Sequence, residues 1–135
     1  MYQMPTFSFS KSSLQKLDEC HPVLQLLFTE ALKSSPADFK VICGHRGEAE
    51  QERAFAEGRS KAHYGQSKHN SMPSMAVDAV PYPVDWADTA RFRALIDHVK
   101  SVWEDIPDDD KGGWSLSCGG DWRRFVDMPH FELRR

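Results

Sequence analysis

One carboxylate inside an apolar run constrains this chain more than any other feature. Residues 76–80, Ala76-Val77-Asp78-Ala79-Val80, read as a buried strand at every position but the middle one, and Pro81 and Pro83 end it. An unpaired carboxylate buried there costs several kcal/mol or takes up a proton. Two histidines stand out beside it. His69 lies in the polar loop just before this strand, and His130 opens the last extended segment, Asp127-Met128-Pro129-His130-Phe131-Glu132-Leu133.

The elements around these residues are mixed. Ser10 is positioned to cap a short first helix carrying Leu14 and Leu17. Pro22 suits the first turn of a second helix, whose Val23, Leu24, Leu27, Phe28, Ala31 and Leu32 recur at helical spacing until Pro36. Residues 39–43 form the first strand candidate. Residues 48–57 are strong helix formers, stopped by Gly58. Residues 59–74 read as a long polar loop of the kind that often carries function. A helix over 88–104 places Phe92, Leu95, Ile96, Val99, Val102 and Trp103 on one stripe. Asp108-Asp109-Asp110-Lys111, between Pro107 and Gly112-Gly113, reads as a solvated turn. Two short extended pieces, 114–118 and 130–133, flank the Gly119-Gly120 turn. The helices are too few and irregular for repeated βαβ units, so the expected class is α+β, a small sheet with flanking helices. At 135 residues without a linker, residues 1–135 are expected to form a single domain.

Composition narrows the function. A net charge of −3 and a pI near 6.0 give no broad basic field for nucleic acid. No apolar run approaches the ~20 residues of a membrane span, and the start MYQMPTFSFSKSS lacks a basic-then-apolar leader pattern. Cys20, Cys43 and Cys118 cannot all pair and form no CxxC, which suits reduced packing residues in a cytoplasm.

Two imidazoles and a carboxylate are a borderline donor set that suits Zn²⁺ and leaves a fourth position for water. Each histidine also has an ordinary reading: His69 as a loop residue, His130 as a hydrogen-bonded strand residue.

The blocks Ser67-Lys68-His69, Ala76-Val77-Asp78, Gly119-Gly120-Asp121-Trp122 and Asp127-Met128-Pro129-His130-Phe131-Glu132-Leu133 resemble the SxH…AxD…DxxHxE pattern of the zinc peptidases of peptidoglycan. More narrowly, they resemble phage endolysins that are L-alanyl-D-glutamate peptidases, relatives of D-alanyl-D-alanine carboxypeptidases and of the Hedgehog domain. The likeness runs from about Phe39 to the C-terminus and includes Gly44-His45-Arg46. His69 and Asp78 stand nine positions apart where many members have seven, and the extra residues fall in Asn70-Ser71-Met72-Pro73-Ser74.

The resemblance implies a Hedgehog/D-Ala-D-Ala-peptidase-like fold with zinc held by His69, Asp78 and His130. It implies Asp127 as the catalytic acid or base and Arg46 as the partner of a substrate carboxylate. Ser67 either contacts substrate or shapes the loop. Glu132 is either an outer partner of His130 or part of a structural ion pair; His21, His45, His63 and His98 match no ligand. The implied reaction is hydrolysis of the peptidoglycan stem, at L-Ala–D-Glu, in phage-mediated host lysis. The implied enzyme is a monomer made in the host cytoplasm, with another protein opening the membrane. The alternatives are a D-alanyl-D-alanine carboxypeptidase, which often has Glu at the position of Asp127, and a non-catalytic zinc-bearing module.

Overall fold

The computed structural model describes residues 7–135; residues 1–6, part of the stretch without a leader pattern, lie outside the described residues. Two short helices come first. In α1 (Lys11–Asp18) the Ser10 hydroxyl accepts the Ser13 N–H at 3.2 Å, and Leu17 faces inward. Leu14, expected beside it, is 47% exposed, because two turns of helix bring only one apolar position onto the core. In α2 (Pro22–Ser34) the His21 ring caps the Val23 N–H at 3.1 Å, and all six expected apolar positions are buried.

Four strands come next, interleaved with helices: β1 (Phe39–Cys43), α3 (Glu48–Ala56), β2 (Ala76–Pro81), α4 (Thr89–Asp105), α5 (Asp108–Lys111), β3 (Ser115–Cys118) and β4 (His130–Arg134). The sheet is wholly antiparallel, in the order β1-β2-β4-β3. This is the small helix-flanked antiparallel sheet expected from the sequence. The expected turn at 108–111 is instead the single helical turn α5, still solvated. Three aspartates at its start and Lys111 at its end match the helix dipole.

Alternation along the strands separates core from site. Val77, Ala79, Phe131 and Leu133 join Leu17, the α2 residues and Ile96 and Val99 of α4 in one hydrophobic core. Phe28 anchors it, edge-on to Phe131 at 5.2 Å between ring centroids and to Phe39 at 6.3 Å. The neighbouring positions, Asp78 on β2 and His130 and Glu132 on β4, lie on the other face, with Asp78 directly opposite His130. Strand β1 breaks the alternation. Val41 pairs with Ala79 but Cys43 pairs with Asp78, so a bulge at Ile42 shifts the register. An extra residue in one strand re-aims the side chains beyond it, and Cys43 joins the Asp78 face.

Candidate metal centre

Asp78 Oδ1 is shared by two imidazoles. His69 Nε2 stands 3.1 Å from it and His130 Nδ1 stands 3.2 Å from it. The far nitrogen of each ring is held from outside. His69 Nδ1 donates to the Gly44 carbonyl at 2.7 Å, and His130 Nε2 donates to Glu132 Oε1 at 2.8 Å. Glu132 accepts in turn from Arg134 Nε at 2.7 Å, so it serves both as outer partner and as ion-pair member. Such outer bonds fix ring orientation and choose which nitrogen faces a metal.

Local structure explains the placement. The Ser67 hydroxyl accepts the His69 N–H at 3.2 Å, and Asn70 Oδ1 accepts the Ser67 N–H at 3.1 Å, forming a capped helical turn over Lys68–Asn70. Ser67 therefore shapes the loop. Between His69 and Asp78, Met72 is exposed, while the Met75 N–H donates to the Lys68 carbonyl at 3.0 Å and closes the loop. The longer spacing leaves the His69–Asp78 contact intact.

The side chains perturb one another strongly. Burial works against charge on Asp78, but the paired imidazoles outweigh it and hold the carboxyl far below its usual range. Burial likewise opposes charge on His69 and His130, yet Asp78 raises them to about 10 and about 8. A cation bound here must displace those protons. Asp127 lies at the rim, its Oδ2 3.9 Å from His130 Nδ1. Burial, then the charge of Asp78, pushes its carboxyl upward.

Arg46 also reaches the site. One guanidinium nitrogen donates to Gln51 Oε1 at 3.1 Å; the other lies 3.7 Å from Cys43 Sγ and 3.9 Å from Asp78 Oδ2. Gln51, fully buried in α3, anchors it while also accepting from Asn70 and donating to Ser60 and the Ala62 carbonyl.

Gln51 and Cys43 are the site residues that sequence reasoning missed. The ligand atoms of Cys43, His69 and Asp78 lie within 4.8 Å of one another, so Cys43 is not the packing residue expected. Two donor sets therefore overlap, one with Cys43 and one with His130. Cys43 Sγ approaches His69 at Nδ1, 3.7 Å away, the nitrogen already given to Gly44. His130 shares Asp78 Oδ1 with the free Nε2, and that geometry favours the set with His130. By chemistry both sets fit zinc, with imidazole, carboxylate or thiolate donors. The other thiols are elsewhere and inert, burial pushing Cys20 up to about 12 and Cys118 to about 11. The remaining histidines do other work: His21 caps α2, His63 pairs with Glu52, His45 contacts the Ser71 carbonyl and His98 the Ala31 carbonyl.

The sequence model of the family described as phage L-alanyl-D-glutamate peptidase matches residues 5–134. The L-alanyl-D-glutamate peptidase of Escherichia phage T5 is 32% identical over 133 residues, covering 96% of this chain and 91% of its own. Among solved structures, the Serratia marcescens L-Ala D-Glu endopeptidase ChiX is similar with a TM-score of 0.76 at 27% identity, covering 98% of this chain and 92% of its own.

Proposed function

This chain belongs to the phage L-alanyl-D-glutamate peptidase family, and we propose that it cuts the peptidoglycan stem between L-Ala and D-Glu using zinc held by His69, Asp78 and His130. It is a zinc metallopeptidase of the L-alanyl-D-glutamate endopeptidase type. The observation that carries the ligand assignment is the shared Asp78 Oδ1, faced by one nitrogen from each ring while the opposite nitrogens are anchored. Cys43 stands beside this set rather than in it.

Zinc bound there supplies Lewis acidity, which polarises an amide carbonyl and makes water acidic near neutral pH. The chain's own residues do the rest. Asp127 Oδ2 takes the proton of the attacking water and returns it to the D-Glu amine as the C–N bond breaks. It is held for this task on both sides: its N–H donates to the Gly119 carbonyl at 3.0 Å, and its carbonyl accepts the His130 N–H at 3.1 Å. Pro129 stiffens the link between carboxylate and ligand. Arg46, fixed by Gln51, offers a guanidinium to a substrate carboxylate at the Asp78 side. Ser67 positions His69.

The working enzyme is proposed to be a monomeric catalytic domain, synthesised in the host cytoplasm and admitted to the wall when another protein permeabilises the membrane. Among the described residues no helix is long and apolar enough to cross a membrane.

The test is mass analysis of purified peptidoglycan after digestion. Stem fragments with a new N-terminal D-Glu, together with falling turbidity, support the endopeptidase. Release of free D-Ala without clearing would assign a carboxypeptidase, and no product would leave a binding module.

A further inference from the structure

Gly119 ties both ends of a short loop. Its carbonyl oxygen accepts the Trp122 N–H at 3.2 Å and the Asp127 N–H at 3.0 Å, closing residues 123–126 into a projection. The base of the loop abuts the metal centre twice. The Trp122 ring lies 5.2 Å from the His130 ring, and Asp127 Oδ2 lies 3.9 Å from His130 Nδ1. Arg123, Arg124, Phe125 and Val126 are all exposed. Phe125 has a φ of 55°, a left-handed conformation unfavourable for a bulky residue, and at 69% exposure it gains little burial in exchange.

The neighbouring cations are engaged. Arg134 pairs with Glu132, Arg93 with Asp121, and Arg46 is fixed by Gln51. Arg123 and Arg124 form no ion pair among the described residues. In a chain of net charge −3, two exposed guanidiniums without an ion pair, three and four residues before the proton-transfer carboxylate in sequence, are a local reversal of sign.

We infer that Arg123 and Arg124 grip the free α-carboxylate of the D-Glu residue on the leaving side of the scissile bond. The inference rests on the stem-peptide reading above. In peptidoglycan this D-Glu continues through its side-chain carboxyl, so its α-carboxylate is either free or amidated. That carboxylate shares a Cα with the amine Asp127 protonates, which keeps it within about 4 Å of that nitrogen. Arg124 is three residues from Asp127, a backbone span of at most about 11 Å. An extended arginine side chain covers roughly 7 Å of it, and the substrate's amine-to-carboxylate reach about 4 Å. A planar guanidinium accepts a carboxylate through two parallel bonds and has no such partner in an amide.

The experiment compares two synthetic stem peptides that differ only in this group, α-carboxylate against α-amide. Wild type is expected to cleave the acid form with kcat/KM about tenfold above the amide form, the size expected of exposed charge-assisted contacts. The double variant Arg123→Gln, Arg124→Gln should lose about tenfold on the acid form, mainly through KM, and little on the amide. Zinc content and Tm should stay unchanged, since both side chains are solvated. Equal losses on both peptides, a preserved preference in the variant, or no preference in wild type would overturn the grip. A wild type that cleaves neither peptide would overturn the stem-peptide reading itself.

Discussion

Replacing Gly119 with Ala probes the rim of the site without removing any functional group. The position needs no unusual backbone angle; it needs space. A methyl built there would overlap the Asp127 carbonyl oxygen and come within 3.0 Å of His130 Cβ and 3.1 Å of Asp127 Cβ. The obstruction is backbone, so the loop must move, by roughly 1 Å, to recover an ordinary contact. Overpacking of this kind costs about 1–3 kcal/mol. For a domain of this size that is a fall in Tm of roughly 4–12 °C. A misplacement of about 1 Å at a reacting group costs on the order of 10²-fold in rate. Gly119→Ala should therefore lose about 10²-fold in kcat/KM on a stem peptide, beside the modest loss in Tm read by calorimetry. Gly47→Ala is the control, because a methyl there meets nothing within 4 Å. Wild-type activity and Tm in Gly119→Ala would refute the claim that the 119–127 closure sets the position of Asp127.

The same geometry sets four further outcomes. His69→Ala, Asp78→Ala and His130→Ala should each lose stoichiometric zinc by metal analysis, because three donors leave none to spare. Cys43→Ser should retain zinc, and the cobalt-substituted enzyme should show no thiolate-to-metal charge-transfer absorption; such a band, lost in the variant, would make Cys43 a ligand. Asp127→Asn should keep fold and zinc but lose on the order of 10²–10⁴-fold in rate, since an amide cannot accept the proton; near-normal activity would reduce Asp127 to a turn residue. Hydrogen bonds from Arg93 and then Lys100 hold the Asp121 carboxyl below its ordinary 3.8. A depressed carboxyl stabilises the fold above its unfolded pKa and loses that contribution as pH falls through the folded one. The Tm advantage of wild type over Asp121→Asn should thus be present at neutral pH and fade below pH 3.8, and it should be small because the group is well solvated.

Sequence patterns predicted most of the scaffold because burial writes them directly. The six apolar positions of α2 are all inside, and the bounds of β1 are those expected. Asp78 was legible because it is polar inside an apolar strand, whereas His69 in its polar loop and His130 joined it only through the resemblance of their sequence blocks to the family. Cys43 was hidden by the bulge at Ile42: strict alternation keeps it with Phe39 and Val41 in the core, and the shift of one residue is set by tertiary pairing. Gln51 was hidden for another reason. Helix α3 buries only Gln51 and Ala54, so it has no apolar stripe to orient it, and the buried amide is satisfied by loop atoms far along the chain. The Arg123–Val126 projection depends on one carbonyl accepting twice, which residue type does not encode.

The cross-strand pairing of Asp78 with His130 has a consequence for biosynthesis. A growing chain carries His69 and Asp78 long before His130 leaves the ribosome, fifty-two residues after Asp78. Until β4 docks between β2 and β3, the acid and one imidazole have only the Cys43 thiol beside them, and the second imidazole is missing. Docking one residue out of step would turn His130 to the opposite side of the sheet from Asp78. On the proposed ligand set, an ion held by both imidazoles would therefore favour the in-step arrangement of β4 alone.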